Sequence, residues 1–524
     1  MPLSKSDGGE QQPAIIRNLS FTELYQSAVH LLGQYCGTIV TCRYVTPDHA
    51  AAGSDESLQE SIERAIAETV LQHPALQAGL VNEDSKRPSW IELESIDFAN
   101  HVAWQTVNSS DDVQAALGSL LESQIDRNFS HLETRPGWRV VILRQHGSRA
   151  LEVAFIWNHT VADGMSGKMF HETLLHHLNS AEGDSPPKLR GRVLRLADTA
   201  LRFPPAPEAI CKYPIGLRFT TSALWKEFKP SIIANKEGTR AAWSPIRLQP
   251  YKTRRRTVTI PDAALQRILR ACRANSTTLT GLLHGIAVLS FASQLQPHEA
   301  PGLAGDTALN MRPATPSAPP GYPWYDPHKT IGNILSSMEH TFDRHLVRDV
   351  RRQLASAPPA DPDRKTALAP AVWSVARAAR RDIQRSLDLG TRDNMVGLMK
   401  FVPDWRAQMR EHVGKPRRSS WVVTNIGVID GDPDGAGAAH WTIERALFSL
   451  SAEASGAAIR LCPISVKGKE LCVDFSWQDT VVDGAVAERL VSDVEEWLGY
   501  LGLGTASICC SALPVVLADR SGAG

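Results

Sequence analysis

Apolar positions along this chain switch repeatedly between a period of two and a period near 3.6. Alternation and short apolar runs predict strands at 38–45, 138–143, 151–157, 257–260, 307–311, 331–337, 419–428, 457–462 and 471–477. Gly147 between the second and third of these suggests a hairpin. Helical stripes lie between the strands. Leu58, Ile62, Ala65, Ile66, Thr69 and Val70 form one face behind a capping box of Ser57 and Glu60, and His73-Pro74 ends that helix. Further helices are predicted just after Ile15, from Asp111 to about Arg127, over 166–178, over 261–273 and over 278–295. The arginine-rich stretch 375–387 reads as a solvated helix face. Strands and helices mixed in two successive halves predict an α/β protein, a two-domain sandwich with mixed sheets. The expected boundaries are a disordered 1–13, an N-terminal domain 14–180, a proline-marked crossover 181–249, a C-terminal domain 250–517 and a tail 518–524.

The two halves carry one pattern twice. Residues 151–164 read LEVAFIWNHTVADG and residues 471–484 read LCVDFSWQDTVVDG, without a gap. Leu, Val, Phe, Trp, Thr, Val, Asp and Gly recur in place, whereas His159 is replaced by Asp479. Residues shared by both copies, Trp157 and Trp477 among them, read as scaffold. His159 is the variable element.

Composition narrows the possibilities without naming a ligand. At 524 residues the chain exceeds one ordinary core, and 43% hydrophobic with 21% charged content is that of a soluble globular protein. The 56 basic and 56 acidic residues leave no net field to favour nucleic acid or an anionic membrane. Eight cysteines are scattered without a C-x-x-C pair, which predicts buried reduced thiols in a cytoplasmic protein. The N-terminus lacks the apolar core of a secretory signal, and no window approaches a membrane span of roughly 20 apolar residues. The apolar tail around Cys509 and Cys510 reads as a packed terminal strand rather than a lipid anchor.

The chemistry converges on one turn. His159, Asp163 and Gly164 form H-x-x-x-D-G directly after an apolar strand. An imidazole with a pKa of about 6.5 is a neutral proton acceptor near physiological pH and suits activation of a hydroxyl or amine. A carboxylate four residues on can brace the turn through an arginine, and glycine there permits a special backbone conformation or a close approach. A bare H-x-x-x-D carries little weight: His345–Asp349 has it too, on a polar helical stretch without the glycine. Other schemes fit less well. Gly164-Met-Ser166-Gly167 has the wrong spacing for a nucleophile elbow, and His171 and His176 miss H-E-x-x-H by one residue, so no metal site is expected. Gly435 and Gly437 sit in an acidic loop rather than between a strand and a helix.

His159-Thr-Val-Ala-Asp163-Gly164 resembles the signature of the chloramphenicol acetyltransferase-like superfamily, which includes plant BAHD acyltransferases and peptide-synthetase condensation domains. The extended stretches NHTVADGMSGKMFHE, FTELYQSAVHLLGQYCGTIVTCRYV and FSWQDTVVDG are most similar to its fungal alcohol acetyltransferase branch. The chain lacks the D-F-G-W-G motif of the plant enzymes and has Asn158 where condensation domains carry the first of two histidines. The resemblance spans about 15–498. It implies two pseudo-duplicated domains with an interdomain tunnel open at both faces, and a monomer. It also implies acyl transfer from an acyl-coenzyme A, acetyl-CoA by default, to a small-molecule alcohol such as a fungal secondary metabolite. His159 is then the general base, Asp163 the brace and Asn425 a candidate oxyanion donor, with Ser420 and Thr424 behind it. Arg312 resembles the arginine that pairs with the motif aspartate, although a solvated strand end explains it as well. The basic run 252–256, with Lys252 and Arg254, is a candidate for the coenzyme A 3′-phosphate, or simply faces solvent. Two rival readings stay open: an N-acyltransferase acting on an amine, and a non-catalytic binding module of the same fold.

Overall fold

The expected strand at 38–45 forms as Thr38–Val45, and its β-branched, fully buried residues place it inside a five-stranded sheet. The order there is Thr442–Leu450, Thr38–Val45, Ala150–Trp157, Trp138–Gln145, Val102–Val107. All neighbours are antiparallel except the last pair. A seven-stranded mixed sheet is ordered Thr253–Ile260, Leu471–Gln478, Ile459–Val466, Trp421–Val423, Leu303–Asn310, Leu335–Phe342, with Gly427–Ile429 also on Ile459–Val466. The computed structural model describes residues 14–48, 54–180, 189–196, 202–228, 240–479 and 481–503. The stretch 1–13, most of the tail with Cys509 and Cys510, and parts of the 181–249 crossover lie outside the described residues.

The internal repeat is structural. Ala150–Trp157 and Leu471–Gln478 are both interior strands with antiparallel neighbours on either side. Each leads through a short turn into a helix, Gly164–Asn179 or Gly484–Gly502, capped by the repeated aspartate: Asp163 accepts from the Ser166 amide and Asp483 from the Ala485 amide, both at 2.9 Å. Trp157 and Trp477 are buried in their respective cores.

One strand breaks the order of the halves. Thr442–Leu450 follows the second half's connections yet pairs along its length with Thr38–Val45 in the first sheet. Its residues Ile443, Ala446, Phe448 and Leu450 share a core cluster with Val40, Phe155 and Phe170.

Local expectations are corrected in several places. The helix Asp55–Gln72 is capped by Ser54, which accepts from the Ser57 amide at 3.2 Å; Ser57 is inside the helix, so the Ser57–Glu60 box does not form. A true capping box occurs at Ser20 and Glu23 instead. The strand expected over 331–337 begins at Leu335, because the amides of 332 and 334 are drawn off by side chains of the first half. The helix Asp363–Leu389 contains the arginine-rich stretch, but Trp373, Val375, Ala376, Ala379 and Ile383 bury one face of it.

All six described cysteines are buried and unpaired; burial pushes the Cys36 thiol up to about 12. No single helix among the described residues is long and apolar enough to cross a membrane.

The interior holds several neutral imidazoles. Burial lowers His73, His101 and His171 each to about 4; His171 bonds the Val40 carbonyl through Nε2 at 3.0 Å and so ties its helix to the first sheet. In the unfolded chain these groups titrate near 6.5. As pH falls below about 6.5 the unfolded chain binds protons that the folded chain does not. Stability is therefore expected to drop as pH falls from about 6.5 to about 4, by up to about 1.4 kcal/mol per pH unit for each group. Urea midpoints at pH 7, 6, 5 and 4.5 check this, and equal midpoints at pH 7 and 5 would contradict it.

Candidate active site

Strand Ala150–Trp157 ends in an indole that donates to the Ala162 carbonyl at 2.7 Å, folding 158–163 into a tight turn. Asn158 reinforces it, with Oδ1 accepting from the Thr160 amide at 2.9 Å. The turn delivers Asp163 to the helix N-cap and leaves His159 at its apex.

Asp163 is the most densely hydrogen-bonded carboxylate of the site. Arg312 donates to it from Nη1 at 2.7 Å and from Nη2 at 3.1 Å, the Ile334 amide at 3.0 Å, and Ser166 from both its amide and its hydroxyl. Asp163 and Arg312 are 3% and 1% exposed, so this is a buried, charge-assisted fork rather than a surface pair. Burial alone would raise the carboxyl's pKa, yet Arg312 and the added donors hold it below its ordinary value. Arg312 is thus not a solvated strand end.

The same guanidinium reaches the carbonyls of Thr330 and Gly332 at 3.3 and 3.4 Å. The Asp163 amide donates back to Gly332 O at 3.2 Å. Residues 330–334 therefore form a strap across the turn, and Asn333 lies at its centre. Asn333 Nδ2 donates to the carbonyls of His159 at 2.7 Å and Thr160 at 2.8 Å. Its Oδ1, 3.2 Å from His159 Nδ1, can then only accept. The proton of a neutral His159 accordingly sits on Nδ1, and Nε2 is left as the acceptor, with no protein partner among the described residues. Burial lowers the His159 pKa from its usual 6.5, against the opposing influence of its own carbonyl, Asp163, Glu453 and Asn333.

His159 opens on a cavity of about 310 Å³. Gly164 and Met165 line it beside the histidine; Asp306, Ala308, Thr424, Asn425, Ile426 and Phe448 come from the other half, and Tyr25, Tyr35, Glu453 and Arg460 close it. The Tyr35 ring centroid is 5.7 Å from that of His159. Gly164 serves close approach: a Cβ there would stand 2.9 Å from both Ile426 Cγ2 and Phe448 Cζ. At Gly484 in the second copy, nothing lies within 4 Å of that position.

His159, its Nδ1 turned to Asn333, thus stands at the wall of a half-open cavity beside the braced H-x-x-x-D-G turn. The alcohol acetyltransferase family model matches residues 109–302. Relatives include the probable alcohol acetyltransferase FCK4 of Fusarium pseudograminearum, 27% identical over 94% of this chain and 96% of its own. The probable alcohol acetyltransferase crmB of Aspergillus fumigatus is 25% identical over 89% and 96%. The N-acetyltransferase SLI1 of Saccharomyces cerevisiae is 23% identical over 69% and 76%. Among solved structures, the TRI3 trichothecene 15-O-acetyltransferase of Fusarium sporotrichioides shares the fold, with a TM-score of 0.68 at 13% identity over 96% of this chain and 99% of that one.

The remaining candidates divide by position. Asn425 lines the cavity; its Oδ1 accepts from the Gly427 amide at 2.9 Å, which directs Nδ2 to Thr280 Oγ1 at 3.2 Å and leaves a second N–H. Thr424 also lines the cavity, whereas Ser420 is buried away from it, accepting from Trp243 Nε1 at 2.9 Å. Lys252 and Arg254 are not brought to the cavity. Arg254 pairs at the surface with Asp479 at 3.0 Å, and the Asp479 amide donates to Lys252 O. Asn333, Tyr35, Asp306 and the Glu453–Arg460 pair escaped the sequence reading. Asn333 alone left a trace there, as a polar residue inside an apolar run.

Removing Arg312 leaves a buried carboxylate without its cation. Arg312→Ala is expected to lower unfolding free energy by about 3–5 kcal/mol, and Arg312→Ala combined with Asp163→Ala by less than the sum of the two single changes. Urea denaturation of the three variants checks this, and additivity within about 0.5 kcal/mol would refute the coupling.

Proposed function

We propose that this protein transfers an acetyl group from acetyl-CoA to a hydroxyl of a small molecule, with His159 as the general base. The observation that carries the reading is the tautomer of His159: Asn333 keeps Nδ1 protonated, so Nε2 is a free acceptor at the cavity wall. As the acceptor hydroxyl attacks the thioester carbonyl, its proton passes to Nε2. The tetrahedral oxyanion collapses, the carbon–sulfur bond breaks, and the coenzyme A thiolate leaves and recovers the proton. A thioester is already activated, so no covalent enzyme intermediate is required.

Asp163 is a brace in this scheme. Its lone pairs are engaged by Arg312, Ser166 and Ile334, so its part is to fix the turn that carries the base. The spare Nδ2–H of Asn425 is the candidate donor to the oxyanion. Segments 14–180 and 250–517 act as the two halves between which donor and acceptor meet, entering from opposite mouths of a tunnel through the cavity. Lys252 and Arg254 have no role in this scheme. The alcohol acetyltransferase family model favours a hydroxyl acceptor over an amine, and the N-acetyltransferase relative keeps the amine as the competing outcome.

Thiol release from acetyl-CoA with a panel of alcohols and amines is the test. Transfer to alcohols is expected, with kcat in His159→Ala lower by about 10²–10⁴-fold. Activity retained by that variant would sink the base assignment, and transfer confined to amines would select the competing reading. Because the pKa of His159 is lowered, kcat/KM is expected to rise with pH on a limb below about 6.5 and to be flat above it. Asn333→Ala, which frees the ring to take the other tautomer, is expected to lower kcat by about tenfold or more with little change in the KM for acetyl-CoA.

A further inference from the structure

Three carboxylates line the cavity, and two are compensated within the protein. Asp163 is held by Arg312, and Glu453 by Arg460 at 2.5 Å together with the Tyr25 hydroxyl. Asp306 is different. It lies on strand Leu303–Asn310, and its side chain has Ser419 as a hydrogen-bonding neighbour; among the described residues it has no ion pair. Arg240, whose charge acts on it, is engaged with Glu339 at 3.6 Å.

The register makes its placement more costly still. Asp306 stands directly opposite Glu339 on the antiparallel neighbour Leu335–Phe342. Like charges facing one another across a ladder destabilise a sheet. Burial, and then the Glu339 and Glu453 charges, push the Asp306 carboxyl up to about 7. A carboxyl in a cavity wall, opposite a second carboxylate and without an ion pair of its own among the described residues, is suited to meet a cation.

We infer that Asp306 is a specificity-determining residue that receives a basic nitrogen of the acceptor, a cationic group remote from the hydroxyl that reacts at His159. This deepens the acyl-transfer reading and rests on it. The charges favour a cation over a second hydroxyl, because Arg240 is engaged with Glu339 and Asp306 has no ion pair of its own among the described residues. It also bears on the reaction outcome: a nitrogen held as an ammonium on a carboxylate has no lone pair for attack, so transfer goes to oxygen.

The test uses acetyl-CoA with matched primary alcohols two to eight carbons long, each bearing either a terminal trimethylammonium or its uncharged tert-butyl isostere. The quaternary group cannot be acylated, so only transfer to oxygen is read. At the optimal length the cationic member is expected to show a kcat/KM at least about tenfold above its isostere. Asp306→Asn is expected to abolish that ratio while keeping turnover of the neutral member, and Asp306→Glu to retain part of it. Because Asp306→Asn relieves the repulsion with Glu339, it is also expected to raise the thermal midpoint, which separates lost selectivity from lost folding. A ratio near one in the wild type, a ratio unchanged in Asp306→Asn, or a preference for α,ω-diols over the cationic series would overturn the inference. Should no alcohol turn over, the acyl-transfer reading fails instead. Calorimetric binding of the same matched pair to the wild type and Asp306→Asn then decides the Asp306 claim by itself, equal affinity of the pair for the wild type being the refuting result.

Discussion

The ion pair between Asp163 and Arg312 ties together parts of the chain that lie 149 residues apart in sequence. Burying two charges is expensive, and it becomes tolerable only when geometry and further hydrogen bonds are near complete. Here the carboxylate is met by a guanidinium fork, two amides and a hydroxyl. Those donors come from the first half's helix, the end of a second-half strand and the strap 330–334. The position of His159 follows from that network, because the turn is anchored at both its ends and at its middle. His159 is placed by a neighbour four residues away.

Much of this was readable beforehand, and the unread part has a physical pattern. Strands such as Thr38–Val45 and the repeat of 151–164 in 471–484 were legible because hydrophobic alternation and local spacing encode them directly. The cap at Ser54 was displaced by three residues because two serines compete and only tertiary position selects one. Asn333 was missed for a different reason. Residues 331–334 look like strand, and their amides do bond, but to Ser166 and Asp163, more than 160 residues away in sequence. Nothing within a window of ten residues reports that choice.

The basic run shows the converse. Once the strand is known to start at Thr253, its period of two sorts the arginines: Arg255 points inward to Asp474 at 2.6 Å, while Arg254 and Arg256 point outward to Asp479 and Glu488. Beginning that strand at 257 hid the alternation and left an apparent cationic patch. The second copy of the motif therefore spends its variable position, Asp479, on a surface pair, where the first copy places His159 at the cavity wall.

The strand Thr442–Leu450 gives the molecule a property that neither half has alone. It completes the first sheet from the far end of the chain, covering the outer edge of Thr38–Val45. A first half severed near residue 250 would present that edge, eight residues with only two not fully buried, as an open template for other chains. The repeat invites thinking of two interchangeable cassettes, but the topology is that of a clasp. Chimeras between relatives would have to carry the 442–450 strand along with the first half to keep its edge matched, although in sequence it belongs to the second.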